Sequence, residues 1–329
     1  MLSVIAKLAK QSRPFWIAAS LTLLAMTAAP AHAGDANGPV HVSTGTIVDL
    51  GFIQSKYADP RRVVVWLPSG YRPHGPKYAV LYMHDGQNLF DKATAGYGME
   101  WEIDEHLDPL IREKKVRPTI VVGIWNTPKR LQEYVPSKAF NGLPAEYRNN
   151  IRALYGGDPL SDGYLKFIVR ELKPMIDKRF NVKTDRADTA IMGSSMGSLI
   201  SLYAIDEYPD VFGAAGMMST HWPLSFKPDG KPISDEEYEA VSSTFERYLA
   251  PALPSPATHK LYFDYGSETL DAVYARYQKR VDAVVAKRGY KQGENWLTRS
   301  FPGQKHNEAS WASRVAIPLQ FLLPPTHKK

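Results

Sequence analysis

Cysteine is absent from the 329 residues. That excludes disulfide staples and a thiol nucleophile, so an exported form of this chain must rest on its core alone. There is no H-E-x-x-H, and the nine histidines are scattered without paired ligand spacing, which argues against a metal site. No basic run interleaved with aromatics appears, and the formal net charge is only +6. Lys7, Lys10 and Arg13 account for three of those charges, so without the first 33 residues the net charge is +3. So small a surplus excludes nucleic acid and an anionic membrane surface as partners. A long apolar run is missing too. The stretch at 15–29 is short for a membrane span and ends at Pro30. With its basic flank and the Ala31-His32-Ala33 cleavage pattern it predicts a signal peptide over 1–33, hence a periplasmic or secreted protein with no membrane attachment after cleavage.

The full sequence has 44% apolar and 22% charged residues, the balance of a globular enzyme-sized core. Alternating or continuous apolar runs predict strands at 41–55, 61–67, 78–83, 119–125, 211–218, 260–266 and 296–301, with a further one at 189–192. Helical spacing predicts helices at 101–113, 163–179, 198–205, 236–249, 270–288 and 310–323. Strand alternating with helix predicts an α/β fold: one domain, a mostly parallel sheet and helices on both faces. Two long proline-bearing stretches, at about 126–162 and 223–259, read as insertions into that domain rather than as linkers.

The chain is organised around Gly193-Ser194-Ser195-Met196-Gly197, set between the strand at 189–192 and the helix at 198–205. A serine forced onto a strand-to-helix turn needs small neighbours two positions away on each side, and the glycines supply them. Such a turn lifts the Ser195 hydroxyl above the sheet beside a helix N-terminus. A serine nucleophile also needs a base, a group to orient that base, and donors for the oxyanion. In elbows of this kind the partners follow in the order serine, acid, histidine. His306 stands in the loop after the last strand, where the base belongs. The acid falls in or beside Gly266-Ser-Glu-Thr-Leu-Asp271: Glu268 lies in the loop itself, Asp271 stands at the cap or first turn of the next helix, and Asp264 lies just inside the strand. The oxyanion donors are the amides of Met196 and of Gln87 or Gly86, the latter two in the loop after the strand ending at Met83. His84 and Asp85 read as groups that fix this loop.

The segments 81–90, 122–126, 130–136, 193–197, 264–271 and 306–311 together resemble the putative-esterase family of α/β-hydrolases. That family includes enterochelin esterase-like, feruloyl esterase-like and S-formylglutathione hydrolase-like enzymes and the mycolyltransferases. The resemblance runs from about Val42 to Leu323. It implies an α/β-hydrolase fold, Ser195 as nucleophile and His306 as base. The family's G-x-x-[DE] acid pattern meets Thr269 here, a departure that leaves the acid open among the three carboxylates. The mycolyltransferase pattern, Asp-Gly followed by an amide donor, falls on Asp85-Gly86-Gln87.

Loops at the C-terminal ends of the strands supply the expected pocket wall: Gln87, Asn88, Trp101, Asn126, Arg130, Tyr134, His221 and Trp222. Arg130 reads either as a substrate contact or as the partner of a nearby carboxylate such as Glu133. The two tryptophans read equally as loop packing. The expectation is an exported serine ester hydrolase without cofactor or metal, acting on a small-molecule or glycan-linked ester. An acyltransferase with the same triad and a non-catalytic binding protein are the alternatives.

Overall fold

The computed structural model describes residues 38–225 and 232–325. The expected signal peptide, and the part of the second insertion at 226–231, lie outside the described residues.

Eight strands form one sheet: β1 (Thr46–Ile53), β2 (Arg61–Leu67), β3 (Ala79–His84), β4 (Thr119–Ile124), β5 (Thr189–Ser194), β6 (Ala214–Met218), β7 (Lys260–Gly266) and β8 (Trp296–Phe301). Their order across the sheet is β1-β2-β4-β3-β5-β6-β7-β8. β2 pairs antiparallel with both of its neighbours, and every pairing from β4 through β8 is parallel. β3, β4 and β5 are buried along their whole length, which is why they read as unbroken apolar runs.

Side chains alternate across a strand, so each strand feeds two layers. Val63, Val65, Val80, Tyr82, Val122 and Ile191 enter one apolar layer. There they meet the helices Ser161–Phe167, Met196–Glu207 and Tyr274–Lys287. Val64, Trp66, Leu81, Met83, Val121 and Met192 enter the opposite layer, against helices Ile103–Arg112 and Ala316–Leu322. The helix that follows the elbow is buried on all sides and has no polar stripe, as a helix packed centrally against a sheet must be.

The structure refines several expected elements. The stretch at 126–162 is not bare loop: it carries helices Arg130–Tyr134, Ser137–Asn141 and Ala145–Tyr155. The helix expected from 270 begins as a 3-10 turn, Thr269–Val273, before Tyr274–Lys287. The closing helix is two helices, Glu308–Ala312 and Ala316–Leu322. The strand expected from 211 starts at Ala214.

Candidate active site

Ser195 stands between β5 and helix Met196–Glu207 with φ 56° and ψ −121°. L-residues adopt positive φ at a cost, so the surroundings must hold it there. They do so through the backbone: Ser195 N–H donates to Met218 O at 3.0 Å, and Ser195 O accepts from His221 N–H at 3.2 Å. The flanking glycines are steric necessities. A Cβ on Gly193 would lie 2.7 Å from the carbonyl carbon and oxygen of Gly197. One on Gly197 would press on His84 and on the Asp85 carboxylate at 3.4 Å. The turn therefore sits directly against the loop that follows β3.

That loop is a 3-10 turn, Gly86–Asn88, entered through Asp85 in the left-handed region at φ 55°. Gly86 lies so close to β4 that a Cβ would meet the Gly123 backbone at 2.6 Å. The turn's internal bond runs from Asn88 N–H to Asp85 O. In a 3-10 turn the amides before that first bond have no acceptor inside the turn. Gly86 and Gln87 hold those positions, and Met196 holds the equivalent one at the start of its helix. The amides expected to serve an oxyanion thus stand at turn and helix beginnings.

The Asp85 side chain fixes the loop. Its two oxygens accept from Arg130 Nε and Nη2, each at 2.7 Å, and Oδ1 also accepts from Asn126 Nδ2 at 2.6 Å. Burial alone would raise the Asp85 carboxyl, but Arg130 and Asn126 outweigh it and hold the group below the ordinary carboxylate range. Two of the expected pocket residues therefore find their partner in this loop. Arg130 is clamped to Asp85, not Glu133, and Glu133 is taken by the buried Arg61 at 2.6 Å. Asn126 turns its amide to the same carboxylate. Gln87 is buried, and its side-chain oxygen accepts from the Asn126 backbone N–H at 3.3 Å.

His306 follows β8 and is 8% exposed, as is Ser195. Its Nδ1 meets Asp271 Oδ1 at 2.6 Å. Asp271 lies inside the 3-10 turn after β7, is 1% exposed, and accepts from Gly266 N–H at 2.6 Å and Ser219 Oγ at 2.5 Å. Burial would raise its carboxyl; His306, Ser219 and Gly266 outweigh that and hold it below its ordinary value. The structure therefore pairs His306 with Asp271. Glu268, the other carboxylate of that loop, is exposed, and its side-chain partner is the neighbouring Ser267 hydroxyl at 3.5 Å. Asp264 is fully buried but belongs to Arg314, at 3.0 Å. Thr269, where the family pattern has an acid, has φ 57° and accepts the His306 backbone N–H on its hydroxyl at 2.8 Å. The position that departs from the pattern thus holds the backbone of the histidine. Gln304 O accepts the N–H groups of Ser267 and Glu268, binding the two loops together.

The remaining pocket candidates lie beneath the surface. Trp101 is 3% exposed and packs on Trp311, with ring centroids 5.5 Å apart. Trp311 in turn meets the His306 ring edge-on at 5.1 Å. Trp222 packs against Phe245 and Phe263 and donates to Gln278 Oε1 at 3.0 Å. His221 Nδ1 meets Tyr274 OH at 2.7 Å. These three side chains are buried. Tyr134 is buried, and the Arg130 guanidinium lies over its ring at 5.1 Å. Asn88 donates to Glu308 Oε1 at 3.2 Å. His84 meets Tyr164 OH at 2.8 Å. Burial pushes His84 and His221 down to about 3, which leaves both as weak bases.

Four residues of this site were given no role in the sequence reading: Ser219, Thr269, Glu308 and Trp311. Three of them lie within the segments 264–271 and 306–311 that carry the resemblance, and Trp311 stands one helical turn beyond Asn307, the cap of the helix that follows His306. Ser219 is defined by its tertiary contacts.

The sheet order, with a strained serine between β5 and its helix, defines an α/β-hydrolase. The chain belongs to the family described as "Putative esterase", whose model matches residues 55–317. It is 27% identical over 173 residues to the uncharacterized protein YbbA of Bacillus subtilis (strain 168), a match covering 52% of this chain and 62% of that protein. The chain thus matches about three fifths of that relative's length. A solved ferulic acid esterase superposes with TM-score 0.58 at 18% identity, covering 86% of this chain and 98% of the other. The enterobactin esterase of Shigella flexneri superposes with TM-score 0.57 at 15% identity, covering 86% and 60%. At such identities the two solved structures establish the fold.

Proposed function

We propose that this protein is an exported carboxylic-ester hydrolase that works through an acyl-enzyme on Ser195. The observation that carries this reading is the strained elbow serine, combined with a His306–Asp271 pair arriving from the loops after β8 and β7. In the proposed cycle His306 Nε2 removes the Ser195 proton as Oγ attacks the ester carbonyl. The amides of Met196 and Gln87 receive the oxyanion. The tetrahedral intermediate collapses, the C–O bond to the alcohol breaks, and His306 returns its proton to the departing oxygen. Water, deprotonated by His306, then attacks the acyl carbon and releases the acid and the free serine. Asp271 stays ionised throughout and holds the imidazole by Nδ1–H.

Aryl, sugar-linked and siderophore esters are the proposed substrate class. Support comes from family membership and from two exposed apolar side chains near the loops of the site. Tyr97 is 38% exposed in the loop beyond Asn88, and Val273 is 37% exposed two residues past Asp271. Each offers an apolar surface to the ring of an aromatic ester.

The test is turnover of p-nitrophenyl acetate, then of feruloyl, acetyl-sugar and catecholate esters, by wild type, Ser195→Ala and His306→Ala. Either variant is expected to lose at least about a thousandfold in kcat. Undiminished turnover in either sinks the reading.

A further inference from the structure

We propose that Ser219 is a positioning residue for the acid of the triad: its hydroxyl, polarised by Trp311 and Arg314, donates to Asp271 and holds that carboxylate in place beside His306. This rests on the reading of Ser195, His306 and Asp271 given above.

Three side chains converge on the Ser219 oxygen. Trp311 Nε1 lies at 3.0 Å, Arg314 Nη2 at 2.9 Å and Asp271 Oδ2 at 2.5 Å. An indole N–H and a guanidinium can only donate. They occupy both lone pairs of the hydroxyl, so its single hydrogen has one acceptor left, the Asp271 carboxylate. Chemistry thus fixes the direction of the bond. Two donors on one oxygen, one of them cationic, make its own O–H a stronger donor.

The backbone is spent on the same arrangement. Ser219 has φ 46°, a conformation that favours glycine. A serine held there, fully buried, costs strain that a glycine would avoid. Its N–H donates to Asp264 O at 2.9 Å, and the Asp264 carboxylate neutralises Arg314. The charged and titratable groups around Asp271 are His306 from the loop after β8, Asp264 from β7, Arg314 from the turn between helices Glu308–Ala312 and Ala316–Leu322, His221 from the loop after β6 and Tyr274 from the helix after the 3-10 turn. The Asp264–Arg314 pair cancels its own charge. Ser219 therefore orients and damps Asp271 without adding net charge.

The decisive variant is Ser219→Gly in the full chain, because glycine relaxes the backbone while removing the hydroxyl. Without the donated bond Asp271 Oδ2 keeps the Gly266 N–H as its donor, and the carboxylate is held less firmly beside His306 Nδ1. With p-nitrophenyl acetate, kcat is expected to fall about tenfold at unchanged KM. Trp311→Phe keeps the ring against His306 but removes one donor to Ser219. It is expected to lower kcat roughly threefold at unchanged KM. Ser219→Gly with wild-type kcat overturns the proposal. So does a loss confined to thermal stability. If Ser195→Ala retains activity, the triad itself is wrong and the proposal falls with it. If Ser195→Ala is inactive and Ser219→Gly is unchanged, only the role of Ser219 is refuted.

Discussion

Arg130 grips Asp85 with two parallel bonds of 2.7 Å, joining the first helix of the insertion at 126–162 to the loop that follows β3. The two are 45 residues apart in sequence, and this fork is what makes the insertion part of the site. Removing the guanidinium leaves a buried carboxylate with Asn126 as its side-chain donor.

Arg130→Ala is therefore expected to destabilise the fold by about 2 kcal/mol, at the low end for a broken buried pair because the Arg130 side chain is 25% exposed. The loop carrying Gln87 should loosen with it, and kcat should fall by roughly 10- to 100-fold. Urea unfolding and steady-state kinetics check this together. An unchanged urea midpoint with a raised KM would instead make Arg130 a substrate contact.

Asp271→Asn should cost roughly a thousandfold or more in kcat/KM, because an amide cannot hold the required imidazole tautomer. Glu268→Gln, on an exposed side chain, should remain within about twofold of wild type. Parallel kinetics on an activated ester decide between them, and a comparable loss in Glu268→Gln would contradict the observed pairing.

Gly86→Ala places a carbon 2.6 Å from the Gly123 backbone, where nothing flexible can yield. The loop must lift from β4, costing about 2–3 kcal/mol and displacing the Gln87 amide. A fall in urea midpoint with a larger fall in kcat is expected. A fully active, fully stable variant would show that the loop has slack the packing does not reveal.

Burial pushes the Glu308 carboxyl up from 4.5 to about 7, with Asp85 nearby acting in the same direction. The folded protein then holds a proton that the unfolded chain has released between those values. That contribution to stability is complete below pH 4.5 and is lost as pH rises through about 7. Glu308→Gln, neutral at every pH, should gain on wild type between pH 5 and 8 by about 2–3 kcal/mol. Thermal or urea midpoints of both proteins across that range measure the gain, and a constant gap refutes it.

Much of the frame was legible because apolar periodicity and strand-helix alternation report burial directly. The placement of Ser195 at a strand-to-helix turn and of His306 after the last strand was legible too, since the elbow is a local motif. The carboxylate partner of His306 was not. Choosing Asp271 over Glu268 depends on a 3-10 turn that rolls one carboxylate inward while leaving the other exposed, and no propensity encodes that roll. Arg130 illustrates the same limit: its nearest acid in sequence, Glu133, is claimed by Arg61 from β2. Trp101, His221 and Trp222 lie in connecting segments, where aromatic residues suggest a binding wall. In the folded chain all three are buried, because large rings gain more from burial than from exposure.

The turn after β6 does two jobs at once. Met218 O fixes the amide of Ser195, and one residue later the Ser219 hydroxyl fixes the carboxylate of Asp271. Ser195 and Asp271, which follow separate strands, are therefore clamped to one common mount. A small displacement of that turn would carry both together and preserve their relative alignment, so the constellation can ride on a breathing sheet without losing its registration.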